Sequence, residues 1–174
     1  MKFVSRHSTG RSRNALWTPV LAVLLALFAS PGVAQQPGGG PFASLPGAWT
    51  GTGIIALSSG TKERIRCRAD YRLEGEQNLR LALSCASDSY KFELQSHITH
   101  SDRTISGSWN ETTRGVGGTI TGTATSTQIR ARAEGQTFTA ILAMNTRGTR
   151  QSVSIQSPGS EMSEITIELT RGSR

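Results

Sequence analysis

His97, His100 and Asp102 are the residues of this 174-residue chain best suited to proton transfer, and the serines around them raise the question of a Ser-His-Asp relay or a metal site. Their spacing argues against both. Side chains three apart on an extended strand point to opposite faces, so His97 and His100 do not converge on one ion. A triad is assembled by the fold rather than by nearness in sequence, and a serine close to a histidine is common in a serine-rich chain. Glu161, Glu164 and Glu168 have the type needed for acid–base pairing but serve equally well as solvated charges near the end of the chain. No catalytic residue, metal or cofactor is therefore assigned, and the expectation is a protein that is not an enzyme.

Residues 64–72, RIRCRADYR, pose a second question: a basic binding patch, or the wet side of a strand. If this segment pairs antiparallel with residues 79–86 about a turn near Glu76, Leu73 faces Leu79, Tyr71 faces Leu81, Ala69 faces Leu83 and Cys67 faces Cys85. One face is then apolar and holds both cysteines; the other carries Arg64, Arg66, Arg68, Asp70, Arg72 and Arg80. A one-residue slip would set arginines against leucines, so the pattern selects this register. Opposed cysteines in an exported chain form a disulfide staple, worth roughly 3 kcal/mol on the loop-entropy model. The arginines have two roles open to them. They keep a strand surface solvated, or their planar forks grip an anionic envelope component such as a glycan or lipid phosphate, or a protein partner.

Export itself is read from the N-terminus. Lys2, Arg6, Arg11 and Arg13 precede an apolar run of about 15 residues, Ala15 to Ala29, and Pro31-Gly32-Val33-Ala34 supplies a breaker and small residues for cleavage. The run is short of the roughly 20 residues a spanning helix needs. Residues 1–34 are thus expected to be a cleaved signal peptide, placing the protein in the periplasm or the medium. Cleavage removes four of nineteen basic residues and none of twelve acidic ones, so the charge falls from +7 to +3, too small to suggest nucleic acid. Residues 35–45, QQPGGGPFASL, read as a flexible leader. Residues 46–172 then form a single domain of ordinary size.

From Trp49 onward the apolar period is two. Tyr90, Phe92, Leu94 and Ile98 share a face, as do Ile105, Gly107 and Trp109, then Gly118, Ile120, Gly122 and Ala124, then Ile129, Ala131 and Ala133. Gly135-Gln136 suits a two-residue turn before Phe138, Ala140, Leu142 and Met144; Val153 and Ile155 follow, and Ile165, Ile167 and Leu169 close the series. About ten strands joined by short turns leave two bare edges unless the sheet closes. The predicted fold is all-β, an antiparallel up-and-down barrel of about 8–10 strands. A membrane-spanning barrel also alternates, but it needs an outer apolar band with aromatic girdles and long loops, whereas residues 35–174 hold seven aromatics and short turns.

The first strand opens Gly47-Ala48-Trp49, and Arg171 follows the last one. In these features the chain resembles the calycin-like barrels: lipocalins, avidins, fatty-acid-binding proteins and nitrobindins. The resemblance implies a closed barrel, with Arg171 packed over Trp49. The late haem-ligating histidine of nitrobindins is missing, since no histidine follows His100, so haem is not carried over. The patterns ERIRCRADY, LxCASDSYxF and SGxWxE resemble those of small exported proteins of unknown function from rhizobia-like alphaproteobacteria, which implies a periplasmic or secreted domain and no particular chemistry.

Trp49, Tyr71, Tyr90, Phe92, Trp109 and Phe138 fall on the inward face beside small residues such as Gly51, Gly53, Gly107, Gly118 and Gly122. Either large residues fill the space above the small ones, or a cavity remains for a small hydrophobic or aromatic ligand. Ligand binding inside, without catalysis, is the expected function; an interaction module using Arg64, Arg66, Arg68, Arg72 and Arg80 is the alternative. Oligomeric state is not legible.

Overall fold

The computed structural model describes residues 39–173; the expected signal peptide lies outside the described residues. Ten strands follow in chain order: β1 (Gly47–Leu57), β2 (Lys62–Glu74), β3 (Asn78–Ala86), β4 (Lys91–Ser101), β5 (Thr104–Glu111), β6 (Val116–Ala124), β7 (Gln128–Gly135), β8 (Thr139–Arg147), β9 (Arg150–Gln156) and β10 (Met162–Arg171). Each pairs antiparallel with its sequence neighbours, and β1 pairs with β10 from Trp49–Arg171 to Leu57–Met162, closing an up-and-down barrel.

The register of β2 with β3 is the one the alternation demands, with Cys67 opposite Cys85, Tyr71 opposite Leu81 and Leu73 opposite Leu79. Inward positions are mostly apolar, with Ser96, Glu111, Thr146 and Gln151 as buried polar exceptions, and outward ones are mostly threonine, serine and charge. The exposed large apolar side chains are Ile54, Val116 and Ile141. A lipid-spanning barrel needs the reverse, an apolar outer band. No described helix is long and apolar enough to cross a membrane.

Turn chemistry sets the hairpins. Asp102 and Arg103 both have positive φ, 47° and 75°, as a two-residue type I′ turn requires between β4 and β5. The β7–β8 turn departs from the sequence reading. Gly135 pairs with Phe138 through an N–H···O bond of 3.0 Å, so Gln136 and Thr137 are the central residues and Ala133 stands opposite Ala140. The shift is two residues along the partner strand, which preserves every face assignment.

Antiparallel order gathers the β2–β3, β4–β5, β6–β7 and β8–β9 turns at one end, together with the entry to β1. That end is sealed. The reading of residues 35–45 as a flexible leader gives way over 39–45, where a turn buries Phe42 and Leu45, at 0% and 2% exposure. Phe42 meets His100 edge-on, with centroids 6.1 Å apart, and Ser44 Oγ donates to Ser126 O at 3.2 Å. The physical reason is that the apolar barrel end needs a cover, and this segment supplies two large apolar side chains, Phe42 and Leu45, from within an otherwise glycine-, proline- and glutamine-rich stretch.

The staple is present: Cys67 and Cys85 form a disulfide with Cα atoms 4.1 Å apart, and both are buried. Disulfides persist in oxidising compartments, in accord with export. Replacing both cysteines by alanine should cost about 2–4 kcal/mol of unfolding free energy. Urea unfolding of the oxidised protein against the double variant reads this directly, and a difference below about 1 kcal/mol would contradict the staple role.

Candidate functional site

The two halves of the interior differ in how they are filled. Toward the closed end, Trp49, Tyr71, Leu79, Ile105, Ile129 and Met144 are all buried. Toward the end carrying the β1–β2, β3–β4, β5–β6, β7–β8 and β9–β10 turns, inward residues Leu57, Leu94, Ala133, Phe138, Leu142 and Ile155 are only partly buried. The division is one of degree, since Ile55, Ile65, Cys85 and Phe92 are buried toward this end and Leu73 is partly buried at the other; the half richer in partly buried inward side chains is termed the open half, or cup.

The six aromatics read as interior split between these halves. Trp49 and Tyr71 belong to the closed floor, edge-on to each other at 6.3 Å. The Trp49 indole N–H donates to Leu45 O at 2.8 Å, and the Arg171 guanidinium lies 4.6 Å from the ring centroid, as the barrel resemblance implied. Arg171 also donates to Ser44 O, while its Nε is buried with no hydrogen-bond partner. The Tyr71 hydroxyl donates to Gln151 Oε1 at 2.7 Å, and Gln151 Nε2 donates to Thr146 Oγ1 at 3.1 Å. Burial pushes the Tyr71 phenol well above its ordinary range, against a smaller opposing effect of the Gln151 hydrogen bond, and keeps it a donor.

Phe92, Trp109, Phe138 and Tyr90 belong to the open half. Trp109 and Phe138 rings lie 5.5 Å apart at 52°, and the Trp109 indole N–H donates to Thr119 O at 3.1 Å. Tyr90 stands on the rim. Its hydroxyl donates to Glu161 Oε1 at 3.1 Å, which ties the β3–β4 turn to the β9–β10 turn. Burial and then the Glu161 hydrogen bond raise its phenol above the ordinary value. A surface depression of about 610 Å³ lies along the β7–β8 turn between Arg132, Phe138, Ile141 and Pro158, so Phe138 borders it as well.

Glu111, to which the sequence alone assigned no role, organises the rim beside Trp109. Its carboxylate accepts the backbone N–H groups of Glu93 at 3.0 Å, Thr113 at 2.8 Å and Arg114 at 2.8 Å. Burial alone pushes this carboxyl up; the amide donors outweigh it and hold the group below its ordinary value of 4.5. The depressed value means that the ionised form stabilises the fold above the unfolded pKa, and that this contribution is lost as pH falls through the folded one. Glu111→Gln, which turns an amide toward those donors, should destabilise by about 1–3 kcal/mol at pH 7. The gap to wild type should narrow below pH 4.5, measured by urea titration at both values; a gap independent of pH would refute the assignment.

The remaining candidates fall elsewhere. His97 points outward on β4, exposed between Arg80 and Ser108, while His100 packs against Phe42 at the closed end. Among the described residues neither ring bonds a carboxylate, and no metal-binding cluster of histidine, cysteine and acid residues occurs. Arg72 and Arg80 are paired, with Asp70 at 2.8 Å and Glu74 at 2.6 Å. Gln151 was missed because a glutamine between arginine and serine carries no local signal of burial. Glu111 was visible only as an acid just ahead of the turn residues Thr112 to Gly115.

No protein-family model matches the chain, and no curated protein matches it. Among solved structures it is similar to Rv2717c from M. tuberculosis, at 12% identity and a TM-score of 0.62, covering 76% of this chain and 95% of that one. The S-type phycobiliprotein lyase CPES from Guillardia theta aligns at 11% identity and a TM-score of 0.49, over 76% and 91% of the two chains. A redesigned β-barrel, mFAP1 bound to DFHBI, aligns at 13% identity and a TM-score of 0.44, over 74% and 95%. At these identities the likeness is one of fold, and the first of the three carries it.

Proposed function

We propose that the protein is an exported carrier that holds a small hydrophobic or aromatic molecule in the open half of its barrel, without catalysing its conversion. The observation that supports this reading is the concentration of partly buried inward apolar residues toward one end, Leu94, Phe138 and Ile155 among them, while Phe42 and Leu45 cover the opposite end. Phe92, Trp109 and Phe138 give that space aromatic walls, and Tyr90 with Glu161 spans its rim. The signal-like N-terminus and the disulfide support a periplasmic or secreted setting.

Trp109 provides the test, because it lies in the cup and reports by fluorescence. The neutral aromatic probe N-phenyl-1-naphthylamine should bind with a dissociation constant of roughly 10–200 μM, the range expected for a ligand of its size. Leu142→Arg, which places a charge in the cup, should abolish that binding. Native mass spectrometry of protein purified from its own periplasm should show an added small mass. Absence of both probe binding and added mass would overturn the proposal.

A further inference from the structure

On the outer face of β2, the structure separates the basic side chains into two groups. Arg72 and, across on β3, Arg80 are neutralised by Asp70 and Glu74. Lys62, Arg64, Arg66 and Arg68 are exposed on consecutive outward positions, and among the described residues none of them forms an ion pair. Alternate residues on a strand are about 6.6–6.8 Å apart, so four of them make a line of charge roughly 20 Å long. The strands on either side leave it unfenced. Arg68 stands between Thr50 and Ser84, Arg66 between Thr52 and Ala86, and Arg64 beside Ile54.

We infer that this row is a docking track for a linear acidic polysaccharide that runs along β2 on the outside of the barrel. Charge complementarity is the first argument: guanidinium forks donate to carboxylates in bidentate geometry, and among the described residues no internal carboxylate pairs with these side chains. Shape is the second. A single line of cations on a convex wall matches a chain with repeated anionic groups, whereas a bilayer surface presents charge in two dimensions and favours apolar or aromatic side chains that insert. The third is the flanking chemistry, since Thr50, Thr52 and Ser84 offer hydroxyls to sugar oxygens on both sides of the row. The track is independent of the cup, and the carrier reading neither requires it nor falls with it.

Polygalacturonate is the probe, with dextran as the neutral control and vesicles of phosphatidylglycerol and phosphatidylcholine as the lipid alternative. Affinity electrophoresis should show retardation by polygalacturonate and none by dextran, weakening as salt rises. Arg64→Gln with Arg66→Gln and Arg68→Gln should weaken retention by about tenfold, as the loss of three exposed charge contacts allows. Arg72→Gln with Arg80→Gln, which removes paired arginines, should weaken it by less than about threefold. Each variant's N-phenyl-1-naphthylamine affinity serves as the check on folding and should equal that of the wild type; should the wild-type cup not bind that probe, far-UV circular dichroism and the urea midpoint take over the check. No retention by polygalacturonate, equal losses in the two sets, or binding to vesicles without binding to the polysaccharide would each overturn the inference.

Discussion

Trp49→Ala should destabilise the barrel by about 3–5 kcal/mol, the range for truncating a fully buried aromatic side chain. The indole is wholly buried, and it does three things at once. It fills the floor beside Tyr71, it anchors the plug by donating to Leu45 O, and it provides the surface on which Arg171 lies. Truncation leaves a void and detaches the cover. It also removes the partner of an arginine whose Nε already has no hydrogen bond. Trp49→Phe keeps most of the volume but loses the N–H donor and part of the ring, so a smaller cost of about 1–3 kcal/mol is expected. Thermal unfolding should place the alanine variant roughly 10–20 °C below wild type for a domain of this size. A shift under about 3 °C would show that the floor is not where the fold's stability resides.

The second large effect is expected at the inward glycines. A methyl group added at Gly118 would overlap the carbonyl oxygen of Glu134 on β7, and one at Gly51 would overlap that of Glu168 on β10. Neither obstacle is a flexible side chain. Relief requires two paired strands to move apart at a bend of the barrel wall, which costs more than ordinary overpacking of about 1–3 kcal/mol. Gly118→Ala is therefore expected to lose at least about 3 kcal/mol or to fail to accumulate as folded protein. Thr119→Ala, at the adjacent outward and exposed position, should stay within about 0.5 kcal/mol. Chemical unfolding of the two variants side by side decides the matter: similar curves would mean that the wall can relax around Gly118.

Period-two alternation made the faces and most of the register legible. The pairing of Cys67 with Cys85 follows from keeping arginines away from leucines, a constraint internal to two adjacent strands. What depends on distant strands was not legible. The glycines look like gaps in an apolar face, and only the assembled wall shows neighbouring backbones pressed against them. Phe42 sits in a Gly- and Pro-rich stretch, so its burial depends on a barrel end that local composition does not reveal. At the candidate site, six aromatics of one face divide into floor and cup because β1 and β2 present Trp49 and Tyr71 near the sealed end. Period alone assigns a side and says nothing of height along the axis.

Every pairing but one joins strands adjacent in sequence; the β1–β10 seam, from Trp49–Arg171 to Leu57–Met162, brings together the two ends of the domain. Until that seam zips, the ribbon presents two free borders of matching hydrogen-bond pattern, and a second chain offers either border the same complement as the molecule's own far end. The seam is thus the point at which the molecule either closes on itself or exchanges strands with a neighbour, and dilution favours the first outcome.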